Sequence, residues 1–289
     1  MKNYLSLIKF THTIFALPFA LIGVFWGIHY MELQQLPLDK PWWQSVLLVL
    51  LCMVFARSAA MAFNRYRDRD IDAANERTQT REIPAGVIAP QRALAFVIVS
   101  SLLFVLTTWF INPLCFFLSP VALLVILGYS YTKRFTALCH LVLGLGLSLA
   151  PVGAFIAVTA HFQWEPIVLG LAVLGWVSGF DIIYALQDEQ FDKTHALNSI
   201  PAWLGARKAL AVSVGLHGLT GAMILLFGWL IGGGLIFWTG AAAFLGLLVY
   251  QHLLVSPTDL SRVNLAFFTT NGIASVVFAC FTLAEILLA

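Results

Sequence analysis

Residues 43–72 read WQSVLLVLLCMVFARSAAMAFNRYRDRDID. From 43 to 63 the stretch is apolar apart from Arg57, and a helix of about 20 residues, rising 1.5 Å per residue, crosses a hydrocarbon core of roughly 30 Å. The charges arrive only where that helix would leave the membrane. There Asn64, Asp68 and Asp72 recur at every fourth residue, so a helix continuing outward carries them on one face. An apolar span ending in an ordered set of carboxylates predicts an all-α membrane protein with its chemistry at the bilayer surface.

The rest of the chain has the same character. Of its 289 residues, 60% are hydrophobic and 10% charged, against about 25% charged in soluble domains. A net charge of +2, with no long basic run, argues against nucleic acid and leaves membrane lipid as the surrounding partner. Cys52, Cys115, Cys139 and Cys280 stand singly in apolar stretches, without the close spacing of a zinc or redox site, and read as packing residues. The first apolar stretch, from about Phe10, is too long for a signal h-region and is expected to remain as an anchor.

Nine apolar spans can be drawn, at approximately 11–30, 43–63, 93–111, 114–131, 136–159, 164–184, 209–230, 234–253 and 264–288. The third and fourth are separated only by an Asn112-Pro113 turn. With nine spans, every Lys and Arg outside them except Lys40 lies on one face, which the positive-inside rule places in the cytoplasm with the N-terminus. Residues 1–289 then form a single membrane-embedded domain, multi-pass in the inner (cytoplasmic) membrane, its helices surrounding a central cavity capped by cytoplasmic loops.

Two of those loops, 64–92 and 184–208, are much longer than the others and hold eight of the 14 acidic residues. Asp181 in the sixth span and Asp188 and Asp192 in the second loop are placed by helical spacing on one face at the end of that span. Asp68 and Asp72 precede Ile83-Pro84-Ala85 as Asp188 and Asp192 precede Ile200-Pro201-Ala202, four spans later, which suggests an internal repeat of two units facing each other. Carboxylates ~6 Å apart repel one another and call for cations. Mg²⁺ suits them, because it takes oxygen ligands from one or two carboxylates and from substrate phosphates. The competing reading is that the aspartates are solvated loop charges balancing nearby arginines.

Two charges inside spans sharpen the choice. Asp181 sits more than a turn inside an apolar run, where an ionisable group costs on the order of 2.5 to 3.5 kcal/mol and marks a functional site. Arg57 lies seven residues before Asn64, two turns deeper on the same face. It would either pair with Asp181 or grip a carboxylate with its planar guanidinium fork.

The paired motifs resemble those of intramembrane aromatic prenyltransferases of the UbiA type, a group that includes 4-hydroxybenzoate polyprenyltransferase. The resemblance covers the whole chain: nine helices, Asn64-x₃-Asp68-x₃-Asp72, Asp181-x₆-Asp188-x₃-Asp192, Arg57, the Arg77-Thr78, Arg81, Pro84 and Gly86 loop, and Tyr129-Ser130-Tyr131-Thr132-Lys133-Arg134. One departure is Arg65, where the family often has Asp after the motif's Asn. The resemblance implies Mg²⁺ and a polyprenyl diphosphate held by Asp68, Asp72, Asp188 and Asp192. Asn64, Arg77, Arg81 and Lys133 would bind substrate, Asp181 would steer or deprotonate the acceptor, and Arg57 would take the acceptor's carboxylate. Tyr184 would face the allylic cation. The alternative reading of Lys133 and Arg134 is that they are topology-setting charges.

The acceptor implied is 4-hydroxybenzoate, in ubiquinone synthesis, with a dihydroxynaphthoate of menaquinone synthesis as the rival. His12 and His140 are either cavity-lining or structural, and Gly144, Gly146, Gly153 and the other helix glycines are expected at close helix packings. A secondary transporter is the reading from another class, but its charges would concentrate near the bilayer midplane, whereas here they cluster at one face.

Overall fold

The computed structural model describes Leu7 and residues 15–288, which are helical with no strands; an isolated antiparallel bridge joins Ser256 and Asp259. His12, Lys2 and Lys9 lie outside the described residues. The helices in order are α1 (Leu17–Leu33), α2 (Trp42–Arg67), α3 (Arg69–Ala74), α4 (Pro90–Ile111), α5 (Pro113–Thr132), α6 (Cys139–Thr159) and α7 (Trp164–Ala185). A 3₁₀ turn at Leu186–Asp188 leads to α8 (Glu189–Thr194), α9 (Ile200–Leu204), α10 (Ala206–Leu230) and α11 (Leu235–Leu253). A π-helical turn at Leu265–Thr270 then leads to α12 (Asn271–Leu288).

Among the described residues eight helices are long and apolar enough to cross a membrane. The first expected span appears as α1, apolar and 17 residues long, and part of its expected range lies outside the described residues. The expected break at Asn112-Pro113 is present: Asn112 is extended, its side chain accepts from Cys115 N and donates to Ile156 O at 2.8 Å, and Pro113 opens α5. That side chain satisfies backbone groups which two abutting helix ends would otherwise leave without partners.

α7 runs through the middle of the bundle. Its Trp176 is fully buried, packs edge-on against Phe180 and Phe244, and donates its indole N–H to Asn271 Oδ1 at 2.7 Å. α6 lies close to α7 because Gly144 has no side chain; a Cβ there would sit 2.6 Å from Leu174 O and would also collide with Ser178 Oγ. Gly146 makes only ordinary contact with Ile126, and nothing stands within 4 Å of a Cβ at Gly153, so close packing accounts for Gly144 but not for Gly153.

Candidate active site

Both acidic motifs are built to one plan. α2 runs past Asn64 to Arg67, Asp68 takes φ −94°, ψ 5°, and the six-residue α3 follows. Asp188 takes φ −102°, ψ 3° at the end of the 3₁₀ turn, and the six-residue α8 follows. Asp72 and Asp192 are each the fourth residue of their short helix. The expected continuous helix through each motif is therefore corrected: both are interrupted at an aspartate. Like charges four apart disfavour a regular helix, and Asp prefers its ends. In the first motif the face survives, because Asp68 N still bonds Asn64 O at 2.9 Å and Asp72 N bonds Asp68 O at 2.7 Å. In the second, a 3₁₀ turn at Leu186–Asp188 stands between Asp181 and Asp192.

The aspartates of the first motif are not solvated loop charges, and those of the second are half-buried. Asp68 and Asp72 are 2% and 4% exposed, and such groups must be paired. Asp68 is held by Lys133 Nζ at 2.7 Å, Arg134 Nη2 at 2.9 Å and Asn64 Nδ2 at 3.1 Å. Arg81 Nη1 reaches Asp72 Oδ1 at 2.6 Å, and Arg65 Nη1 stands 4.0 Å from Oδ2. Arg65 thus supports Asp72 from behind where the resemblance would have put a further carboxylate. Four basic side chains surround two carboxylates here, an excess of positive charge that suits a polyanionic ligand.

The loop after α3 joins the motifs. Arg77 forks onto Asp188, with Nε 3.1 Å from Oδ1 and Nη2 on Oδ2, while its Nη1 donates to Tyr184 Oη at 3.0 Å. Burial lowers the pKa of Arg77, but the hydrogen bonds and charge of Asp188 outweigh this and carry it above the ordinary value. Asn75 Nδ2 adds a bond to Asp188 Oδ1 at 3.2 Å. Asp192 accepts from Ser199 Oγ at 2.7 Å, and the same hydroxyl caps α9. The Tyr184 ring stacks on Phe267, in the π-helical turn, with centroids 4.2 Å apart. Arg77 and Arg81 thus stand against motif carboxylates. Asn75 and Ser199 escaped sequence reading, because neither lies at the fourth-residue spacing; their position in the loops just after the carboxylates was the available signal.

Asp181 is paired with His140 Nδ1 at 2.7 Å, which fills the role alternatively expected of Arg57. Arg57 is half-buried in α2, two turns below Asn64. Among the described residues no group of three or more His, Cys, Asp or Glu side chains is placed to cage a metal. Mg²⁺ does not require one: it takes one or two carboxylates, waters and phosphate oxygens. The oxygen-only donors of each motif fit that pattern, and Asp72 Oδ2 is buried without a hydrogen bond.

The chain is 32% identical over 234 residues to a 4-hydroxybenzoate octaprenyltransferase of Nitrosospira multiformis, covering 81% of this chain and 80% of that one. A protein of the same name from Tolumonas auensis is 30% identical over 241 residues, covering 83% and 84%. Among solved structures, a UbiA homolog from Aeropyrum pernix K1 superposes with a TM-score of 0.79 at 28% identity, covering 96% of this chain and 97% of that one. The fold is also that of a UbiA homolog from Archaeoglobus fulgidus bound to DMAPP and Mg²⁺, with a TM-score of 0.76 at 20% identity, covering 99% and 100%. The UbiA prenyltransferase family profile matches residues 20–273, a range that takes in both acidic motifs, the loop that joins them and the basic end of α5, and the chain belongs to that family.

Proposed function

We propose that this prenyltransferase moves a polyprenyl chain from its diphosphate onto 4-hydroxybenzoate, as in ubiquinone synthesis. One observation carries the reading: two matched pairs of carboxylates, Asp68 and Asp72 buried and Asp188 and Asp192 half-buried, strapped together by Arg77 and flanked by Arg65, Arg81, Lys133 and Arg134. Such a site grips a diphosphate through cations and leaves the allylic carbon among apolar helices. The relatives named 4-hydroxybenzoate octaprenyltransferase support the acceptor.

Asp68, Asp72, Asp188 and Asp192 would hold Mg²⁺, which when bound neutralises the diphosphate and eases its departure. Lys133, Arg77 and Arg81 exchange their carboxylate contacts for phosphate oxygens as the donor enters, and Asn64 orients Asp68. The allylic C–O bond breaks with its electron pair going to the diphosphate; the acceptor ring then forms the new C–C bond and loses a proton. Tyr184 offers its ring face to the allylic cation, the surrounding helices exclude water, Asp181 accepts from the acceptor's hydroxyl, and Arg57 holds its carboxylate. The chain is a single domain of nine spans in the inner membrane, with N-terminus and motif loops in the cytoplasm.

The test is to incubate purified protein with Mg²⁺, a polyprenyl diphosphate and a panel of hydroxylated aromatic acids, and to identify products by mass. A prenylated 4-hydroxybenzoate is expected; a product only from a dihydroxynaphthoate would move the enzyme to menaquinone synthesis, and no product from any acid would overturn the assignment. Chelation should abolish turnover, and Mg²⁺ should restore it better than Ca²⁺ does.

A further inference from the structure

His140 opens the first turn of α6 and is almost fully buried, with every polar group it owns beyond the helix ladder put to use. Its carbonyl accepts from Ser178 Oγ at 3.1 Å, one turn before Asp181 on α7. Its Nδ1 lies 2.7 Å from Asp181 Oδ2. Its Nε2 lies 3.3 Å from the backbone N of Ile200, at the start of α9 beyond the second motif. A backbone N–H can only donate, so Nε2 must accept and carries no proton. The two contacts therefore assign the ring its Nδ1–H tautomer, with the Nδ1 proton directed at Asp181.

Asp181 is left with one oxygen fastened and one available. Its side chain is 17% exposed, and among the described residues Oδ1 has no hydrogen-bond partner. An imidazole donor fixes the carboxylate's rotation, so that Oδ1 presents a lone pair in one direction. The same ring ties that carboxylate to Ile200, and Ser199 beside it donates to Asp192. One side chain thus connects the carboxylate on the acceptor side with the loop that closes the second motif on the donor side.

We propose that His140 is a positioning residue with two separable arms: Nδ1 aims Asp181 at the hydroxyl of the aromatic acceptor, and Nε2 anchors the second motif loop against the diphosphate. The inference rests on the reading of Asp181 as the carboxylate that meets the acceptor. It also defines a requirement of the site: the acceptor must offer a hydroxyl donor to Oδ1, so an acid whose hydroxyl is replaced by methoxy should lose affinity more than one altered elsewhere on the ring.

Two near-isosteric variants cut one arm each. His140→Asn places an amide N–H where Nδ1 stands and leaves Ile200 N without its acceptor; His140→Gln places an acceptor where Nε2 stands and leaves Asp181 without its donor. For His140→Gln, acceptor kcat/KM should fall about thirtyfold with donor KM nearly constant. For His140→Asn, donor KM should rise about threefold to tenfold with a much smaller change in acceptor kcat/KM. A residue serving only the fold would move both parameters together in both variants, and that parallel pattern, or no change in either, overturns the proposal.

Asp181→Asn separates this inference from the reading beneath it. If Asp181→Asn leaves acceptor kinetics intact, the reading of Asp181 fails. If it damages them while His140→Gln does not, only the role of His140 fails. Should a variant not fold, ¹⁵N imidazole shifts of the parent protein decide: a His140 ring protonated at Nδ1 and bare at Nε2 is expected, and an imidazolium or the Nε2–H tautomer overturns the proposal.

Discussion

Asp68 shows how a single residue carries this site. It is buried, it ends one helix and begins the next, and it is surrounded by Lys133, Arg134 and Asn64. Asp68→Asn keeps the shape and an accepting oxygen but removes the charge that would hold a metal, and Asp192→Asn does the same across the site. Turnover should fall by orders of magnitude in both while the proteins stay folded in detergent, as read by product formation and thermal midpoint; near-parental activity in both would remove the metal assignment. Arg57 belongs to the same scale. If its guanidinium fork grips the acceptor's carboxylate, Arg57→Lys retains the charge but loses the second hydrogen bond. A loss of roughly 1.5 to 3 kcal/mol raises acceptor KM by about tenfold to a hundredfold. Donor KM should barely move, and an Arg57→Lys enzyme with unchanged acceptor KM would rule the role out.

The working elements are the two short helices, α3 and α8, and the loops that follow them. Each is too short to be stable alone, so each depends on what holds its ends. For α3 the tie includes Thr78 Oγ1 on Asp72 O at 3.1 Å, and for α8 it includes Leu197 N on Asp192 O at 2.9 Å. Arg77 then fastens the first loop to the second motif. Arg77→Gln removes the fork at a partly exposed site, and a loss of roughly 1.5 kcal/mol corresponds to a rise in donor KM of about tenfold. Initial rates over a range of polyprenyl diphosphate concentrations would measure it; a donor KM within twofold of the parent would mean that the strap is not part of diphosphate binding. The π-helical turn at Leu265–Thr270 serves the same site, since it carries the Phe267 ring on which Tyr184 stacks.

At the scale of the whole molecule, α7 is the axis. Its buried aromatic face packs α1, α10, α11 and α12 together through Trp176, Phe19, Phe227, Phe244 and Phe278, while its end delivers Asp181 and Tyr184 to the site and the 3₁₀ turn that follows delivers Asp188. The expected topology places Ala74 and Lys40 on opposite sides of the membrane. Single cysteines at these positions, in protein from which Cys52, Cys115, Cys139 and Cys280 have been removed, should be labelled from opposite faces of sealed vesicles. Labelling of both from one side would overturn the orientation.

Apolar run length, the four-residue spacing of Asn64, Asp68 and Asp72, and the one-sided distribution of Lys and Arg were enough to read the helical class, the two acidic loops and their likeness to each other. These are local properties, set by the period of the helix and by the cost of charge in lipid, and they need no knowledge of neighbours. Other features came only from tertiary structure: the burial of Asp68 and Asp72, the strap from Arg77 to Asp188, and the pairing of Asp181 with His140 rather than Arg57. Each joins residues distant along the chain, 111 positions apart for Arg77 and Asp188 and 41 for His140 and Asp181. No periodicity encodes which of several cations meets which carboxylate; the packing of α6 on α7 through Gly144, and of the two loops on each other, makes that choice.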